Sequence, residues 1–301
     1  MLAESASASQ TNKQDHAMSQ TPDMLMADVE RRMMRLCRSP SGVLQNSVHH
    51  HMKSGGSRVR ARMALDAALS LKLSHQQAVA IATACELLHN ASLIHDDLQD
   101  RDATRRGQPA VWAEYGSEVA ICAGDLLLSG AYAALGAVGE SAADLITIMH
   151  ERVAATIHGQ SEDLDGAKRV QLSLEDYETI AANKSGPLLS LPLELALRLA
   201  RREDHVITAQ RAIKSFALGY QMLDDLDDAF ADEQAGEINA VNILASAGAK
   251  NPERDILNRA RSHLDNAAYI AQTLPAAMPQ IIKGYIDALM LRTRTPQELP
   301  A

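Results

Sequence analysis

Residues 74–100 read SHQQAVAIATACELLHNASLIHDDLQD, and this stretch decides the fold class. Ser74 stands where a helix N-cap belongs, because a serine oxygen can accept an unpaired N–H of a first helical turn. Behind it, alanine, leucine and isoleucine recur densely over 75–99, too far for a strand and in residues that favour helix. The spacing predicts one long helix with a mostly buried apolar run, Ala84–Ile94, and an acidic end. On that helix Asp96 and Asp100 are i and i+4, on one face about 6 Å apart. Carboxylates so close repel and destabilise the helix. A hard divalent cation relieves the repulsion, and an all-oxygen donor set favours Mg²⁺ over softer metals. Asp97 points about 100° away around the helix and is the weaker candidate ligand.

The same pattern returns in SFALGYQMLDDLDD at 215–228. Asp224 and Asp228 repeat the i, i+4 geometry after an apolar helix, Ile213–Leu223, with Gln221 one turn ahead and Asp225 beside them. Two acidic clusters, each closing a buried helix, suit ions shared between neighbouring helices. Mg²⁺ keeps several waters and completes its shell with phosphate oxygens. The candidate metal ligands are therefore Asp96, Asp97, Asp100, Asp224, Asp225 and Asp228.

Cations stand close by in the sequence. Arg105-Arg106-Gly107 follows the first cluster, Gly55-Gly56-Ser57-Arg58-Val59-Arg60 offers a flexible turn with two arginines at a helix start, and Lys184-Ser185-Gly186 offers a lysine beside a helix break. Guanidinium forks match phosphate oxygens, so these segments are candidate diphosphate binders as well as candidate ion-pair partners of the aspartates.

The rest of the chain also reads as helix, over 23–38, 58–71, 117–137, 140–164, 173–200, 203–231, 239–247, 251–272 and 276–293. Ser173 with Asp176 resembles a capping box. Residues 101–108 are expected to form a loop, and Pro187 and Pro192 to kink or break their helix. His49-His50-His51 fits a metal tract or a solvated turn, the second being favoured. No β alternation and no fixed-period repeat is found, and short connections favour antiparallel helical neighbours.

Bulk properties agree. Of 301 residues, 46% are apolar and only 3% aromatic, which suits an alanine- and leucine-rich helical core better than a β-sandwich. Residues 1–22, rich in Ser, Gln, Ala and Thr, are expected to be a disordered tail. A single domain is expected over 23–301. A net charge of −9 argues against a nucleic-acid partner. Cys37, Cys85 and Cys122 form no CxxC pair and are expected to be reduced thiols in a cytoplasmic protein. No run approaches the ~20 apolar residues of a membrane span, and the N-terminus lacks a basic-then-apolar signal.

On these motifs the chain resembles the trans-polyprenyl (isoprenyl) diphosphate synthases, which include farnesyl and geranylgeranyl diphosphate synthases. HDDLQDRDATRRGQPA (95–110) and GYQMLDDLDD (219–228) are similar to the two aspartate-rich motifs of that family. YGSEVAICAGDLLL (115–128), GQSEDLD (159–165) and KSGPL (184–188) lie between them in family order.

The resemblance implies an all-α bundle of about ten or more helices around a central cavity, the isoprenoid synthase fold. It implies a homodimer, and Mg²⁺ as cofactor, about three ions with bound diphosphate. The activity it implies is condensation of an allylic prenyl diphosphate with isopentenyl diphosphate. By resemblance Asp96, Asp100 and Asp224 coordinate Mg²⁺ on the allylic diphosphate, which Arg105 and Lys184 also bind. Arg60, His89 and Arg106 bind isopentenyl diphosphate, and Gln221 and Asp225 line the metal site.

The chain-length pocket would be formed by the small Ala91 and Ser92, one turn before Asp96, with Leu88 as a floor. That favours products of about fifteen to twenty carbons, since a rise of ~1.5 Å per residue places the small pair only about 6–8 Å from the metal. Two departures stand out. Ser57 replaces a family lysine, with Lys53 or Arg58 as possible substitutes, and DEQAGEINAVNIL (232–244) replaces a lysine-bearing segment. These departures keep two rivals open: a terpene synthase-like enzyme that ionises a preformed prenyl diphosphate, and a regulatory synthase subunit.

Overall fold

The computed structural model describes residues 21–166 and 172–292. Twelve α-helices and one short β-ribbon make up almost all of the described residues. The first aspartate cluster closes α4 (His75–Asp100) and the second lies in α9 (Val206–Ala235). Ser74 caps α4 by a reciprocal capping box with Gln77, and the helix stops at Arg101 in the left-handed region (φ 62°). α9 stops at Gly236, also left-handed (φ 74°), where a residue without Cβ adopts that conformation at little cost.

Around α4 and α9 pack α3 (Val59–Ser70), α6 (Ser117–Leu135), α8 (Leu174–Leu199) and α11 (Pro252–Ala271), and α7 (Ala142–Gly166) lies against α8. α1 (Pro22–Leu36) and α2 (Gly42–Lys53) flank the first half. α5 (Val111–Tyr115), α10 (Ala240–Ser246) and α12 (Met278–Arg292) complete the bundle. The core is one continuous cluster, with Ile81, Leu87, Ile94, Leu127 and Leu191 among its fully buried side chains. Alanine-rich faces bring helices close. On α7, Gly159 sits against the α8 backbone, and a Cβ there would lie 2.4 Å from the carbonyl carbon of Asn183.

The observed elements depart from the expected ones at several points. Residues 101–108 are not simply a loop: Thr104–Arg105 (β1) pairs antiparallel with Gln108–Pro109 (β2). The turn residues Arg106 (φ 54°) and Gly107 (φ 74°) both have positive φ, as a two-residue type I′ turn requires. Residues 42–53 form α2, capped by Ser41, whose hydroxyl accepts the Leu44 N–H. The histidine tract is thus helical rather than a turn, and His51 is buried.

Helix α8 runs unbroken through Pro187 and Pro192. Each proline forfeits one bond to the carbonyl four residues back. The burial of Leu189, Leu191, Leu193, Leu195 and Leu197 offsets that loss. Ser173 and Asp176 form the expected capping box. Of the three free cysteines, Cys37 and Cys85 are buried and Cys122 is exposed.

Over 117–162 the chain is long and apolar enough to span a membrane by length and composition, although the sequence reading found no such run. Its hydropathy comes from alanine together with leucine, isoleucine and valine, in a run interrupted by Asp125 and several glycines. Ala120, Ala123, Leu127, Ala131 and Ala134 of this stretch are buried within the bundle.

Candidate functional site

Two adjoining cavities open between α4, α8 and α9, and they share Gln221 and Asp224. The first, about 460 Å³, is acidic. Asp100 comes from α4, and Asp224, Asp225, Asp228 and Asp232 come from α9. Glu237 follows α9, and among the described residues Lys184 of α8 is the one cation in the lining.

Asp96 lies one turn before Asp100. Burial pushes its carboxyl up to about 6, opposed by Lys184 and reinforced by Asp100. Burial likewise raises Asp225 to about 6, against the pull of the Ala240 N–H and Gln221. Those donors are at 2.8 Å and 3.1 Å.

Asn239, which the sequence reading passed over, fixes this end of the cavity. Its amide nitrogen donates to the Asp225 carbonyl and to Asp232 Oδ2, both at 2.8 Å. Its Oδ1 accepts the Val241 and Asn242 N–H groups, capping α10. An asparagine directly ahead of AVNIL is an N-cap signal, and that was the available clue.

The second cavity, about 670 Å³, is basic on one side and apolar on the other. Arg60, His89, Arg105, Arg106 and Ser57 face Leu93, Leu189, Phe216, Tyr220, Tyr285 and Leu289. Arg60 Nε is buried without a hydrogen-bond partner, and burial lowers its pKa. A buried arginine with an open donor beside a cavity suits an anionic ligand. Burial, reinforced by Arg60 and Arg106, holds His89 well below the ordinary histidine value, so its ring is neutral near pH 7.

The first turn of α3, which carries Arg60, is held from α4. Buried Glu86 accepts the Ala61 N–H at 3.2 Å, taking the place of a cap that Arg58 does not supply. Asn90 Nδ2 in turn donates to Glu86 Oε1 at 3.3 Å.

The structure brings Asp100, Asp224, Asp225, Asp228, Lys184 and Gln221 to the acidic cavity, and Arg60, His89, Arg105 and Arg106 to the basic one. Other expected site residues face elsewhere. Asp97 is 1% exposed and accepts the Arg105 Nε at 2.7 Å. It is the counter-ion that sets Arg105, not a cavity-facing ligand, because its turn of α4 points inward. Arg58 engages Glu86 at 3.4 Å and the Met52 carbonyl at 3.3 Å. With Lys53 it lines a separate cavity of about 300 Å³ beside Met33, Met34 and Met52. Neither residue replaces the lysine missing at Ser57.

Leu88 and Ala91 are buried at 2% and 3%, and the Ser92 hydroxyl donates to the His89 carbonyl. His89 and Leu93 line the basic cavity instead. Along α4, His89 and Leu93 line the basic cavity and Gln99 and Asp100 the acidic one, with Asp96 between them outside both linings.

The donors of the acidic cavity fit a hard divalent cation. They are carboxylate oxygens, and the raised pKa values of Asp96 and Asp225 measure a repulsion and desolvation that such an ion would relieve. Among the described residues no three acidic, histidine or cysteine side chains converge tightly enough to enclose an ion.

Solved structures of isoprenoid synthases share the architecture. Heptaprenyl diphosphate synthase from Staphylococcus aureus superposes with a TM-score of 0.82 over 92% of this chain and all of its own, at 18% identity. Geranylgeranyl pyrophosphate synthetase from Geoglobus acetivorans gives 0.79 over 89% of this chain and 97% of its own, at 22% identity. The class is that of the all-α isoprenoid synthase fold. Residues 41–241 match the polyprenyl synthetase family, and the chain belongs to that family.

Among its relatives, the geranylgeranyl diphosphate synthase of Methanosarcina mazei is 28% identical over 77% of this chain and 75% of its own length. That of Mycobacterium tuberculosis is 31% identical over 75% and 65%. The short chain isoprenyl diphosphate synthase of Methanocaldococcus jannaschii is 29% identical over 64% and 59%. The chain thus spans less than two thirds of the length of the Mycobacterium and Methanocaldococcus relatives.

Proposed function

We propose that the protein is a prenyltransferase that condenses an allylic prenyl diphosphate with isopentenyl diphosphate to give a longer trans-prenyl diphosphate. The observation that carries the reading is the contact between an acidic and a basic cavity across Gln221 and Asp224. Two diphosphates need two differently charged seats, and their reacting carbons must meet between them.

The acidic cavity takes the allylic diphosphate, with Asp96, Asp100, Asp224, Asp225 and Asp228 holding Mg²⁺, about three ions when loaded. Bound there, Mg²⁺ supplies Lewis-acid stabilisation of the departing diphosphate. Lys184 at this cavity and Arg105 from the adjoining basic one bind the same group, and their fixed charges favour the negative charge that builds as the carbon–oxygen bond breaks. Arg60, Arg106 and neutral His89 hold isopentenyl diphosphate with its double bond toward that carbon. Leu93, Leu189, Phe216 and Leu289 surround the prenyl chain and exclude water from the cation. After the double bond attacks, the departing diphosphate accepts the proton, so no side-chain base is required.

The relatives bear the names of chain-elongating synthases. Products of about fifteen to twenty carbons, a cytoplasmic location and a homodimer belong to the same reading. A second copy would cover the outer face of α6, where Ile121 is 48% exposed beside exposed Cys122, with Leu128 and Tyr132 half-buried further along.

Purified protein incubated with Mg²⁺, an allylic diphosphate and labelled isopentenyl diphosphate tests the proposal. Label in a longer prenyl diphosphate is the expected product. Unlabelled hydrocarbon or alcohol would identify a terpene synthase-like enzyme, and no turnover by the isolated chain would identify a regulatory subunit.

A further inference from the structure

The histidine tract at 49–51 takes no part in either cavity, yet it touches an element that builds one of them. His50 Nε2 lies 2.7 Å from the Pro109 carbonyl, a distance and pairing in which the ring N–H donates. Its ring also meets Tyr115 edge-on, with centroids 5.5 Å apart. Pro109 pairs with Thr104 in the ribbon whose turn holds Arg106 and Gly107. Within the ribbon, Arg105 and Arg106 reach the basic cavity.

The ribbon is tied a second time to the segment that follows α2. Arg106 Nη1 donates to the Gly55 carbonyl. Its guanidinium covers Gly56, where a Cβ would lie 2.6 Å from Cζ. Helix α2 is itself anchored to α4, because buried His51 Nε2 lies 3.0 Å from Asn90 Oδ1. A fixed helix thus reaches the ribbon through His50, and the loop that leaves that helix receives Arg106. The rings of His50 and His51 have separate partners, so the tract is not built as a metal site.

The geometry points to His50 as a positioning residue that sets the ribbon, and with it Arg105 and Arg106, for diphosphate capture in the basic cavity. This rests on the reading that the cavity seats isopentenyl diphosphate. The bond it makes lies outside the cavity, so its loss lets the ribbon drift without removing a cation from the lining.

The test compares His50→Ala with His50→Gln in the full chain, since a glutamine amide can still donate to Pro109. The readouts are the Kd of inorganic diphosphate in metal-free buffer, by titration calorimetry, and the KM of each substrate. Loss of one hydrogen bond predicts that His50→Ala weakens inorganic diphosphate and raises the KM for isopentenyl diphosphate about tenfold. The allylic KM should rise less, because that seat keeps Lys184 and the carboxylates, and Arg105 is still held by Asp97. His50→Gln should stay near wild type. Unchanged diphosphate binding in His50→Ala, equal losses in both variants, or a parallel rise of both KM values with a lower Tm would overturn the proposal. Should wild-type protein not consume isopentenyl diphosphate, the functional reading fails, while the diphosphate titration still decides the role of His50.

Discussion

Gly159→Ala sets two physical effects against each other, and the structure decides the sign. Gly159 lies inside α7, where replacing glycine by alanine normally stabilises a helix by about 1 kcal/mol. At this site, however, the new Cβ would stand 2.4 Å from the Asn183 carbonyl carbon and 2.6 Å from both the Asn183 oxygen and the Lys184 nitrogen. The obstacle is backbone, so no rotamer change relieves it. Ordinary contact requires the α7–α8 pair to separate by roughly 1 Å, an overpacking that costs about 1–3 kcal/mol.

The clash offsets or exceeds the gain in helix propensity, giving a net loss of up to about 2 kcal/mol and a Tm lower by up to about 3 °C for a chain of this size. The displaced segment carries Lys184 into the acidic cavity. A shift near 1 Å in a group that orients substrate costs up to about 100-fold in turnover. Thermal unfolding and steady-state kinetics on the same preparation measure both effects. A variant with an unchanged or higher Tm and full activity would refute the packing argument, because propensity alone would then have governed.

Three further outcomes follow from the site. Asp224→Ala removes the carboxylate shared by both cavities and should abolish turnover, as should Asp96→Ala; near-normal product formation by both variants would reject the proposed chemistry. Arg60→Met should weaken isopentenyl diphosphate binding by about 1.5–3 kcal/mol, one to two decades, with little change in Tm; an unaltered KM would remove Arg60 from the site. Asp96 and Asp225 carry raised native pKa values of about 6, above the unfolded value near 4. Without metal, the native state therefore binds extra protons between about pH 4 and 6, and these two groups contribute stability that is lost as pH rises through that window. A divalent cation offsets the loss, so the Tm gain from added Mg²⁺ should grow from pH 5 to pH 7. A gain that is flat or falls with pH would count against these two carboxylates as part of the cation site.

Most of the bundle was legible because helix signals are local. Ser74 and Ser173 announce their caps, and both acidic clusters announce themselves by i, i+4 spacing. The errors arose where distant residues decide a local outcome. The ribbon at 104–109 turns on Arg106-Gly107, which lacks the usual Asn-Gly or Asp-Gly signal. The prolines of α8 were expected to break a helix that burial carries through. Asp97 sits within an aspartate-rich motif, yet its inward phase on α4 and its partner Arg105 make it structural.

Read along the chain, the residues were enough to establish that this protein is helical, that two acidic clusters sit on buried helices (the second well before the end of α9 at Ala235), and that cations accompany them. Each of these depends on the 3.6-residue period and on near neighbours. Which charges meet was settled only once the helices were packed. Turning Arg58 to Glu86 and joining the two cavities at Asp224 depend on how helices far apart in sequence are rotated against one another, while Asp97 meets Arg105 only because the ribbon folds back on the end of α4. Side-chain packing sets that rotation, and no single segment encodes it.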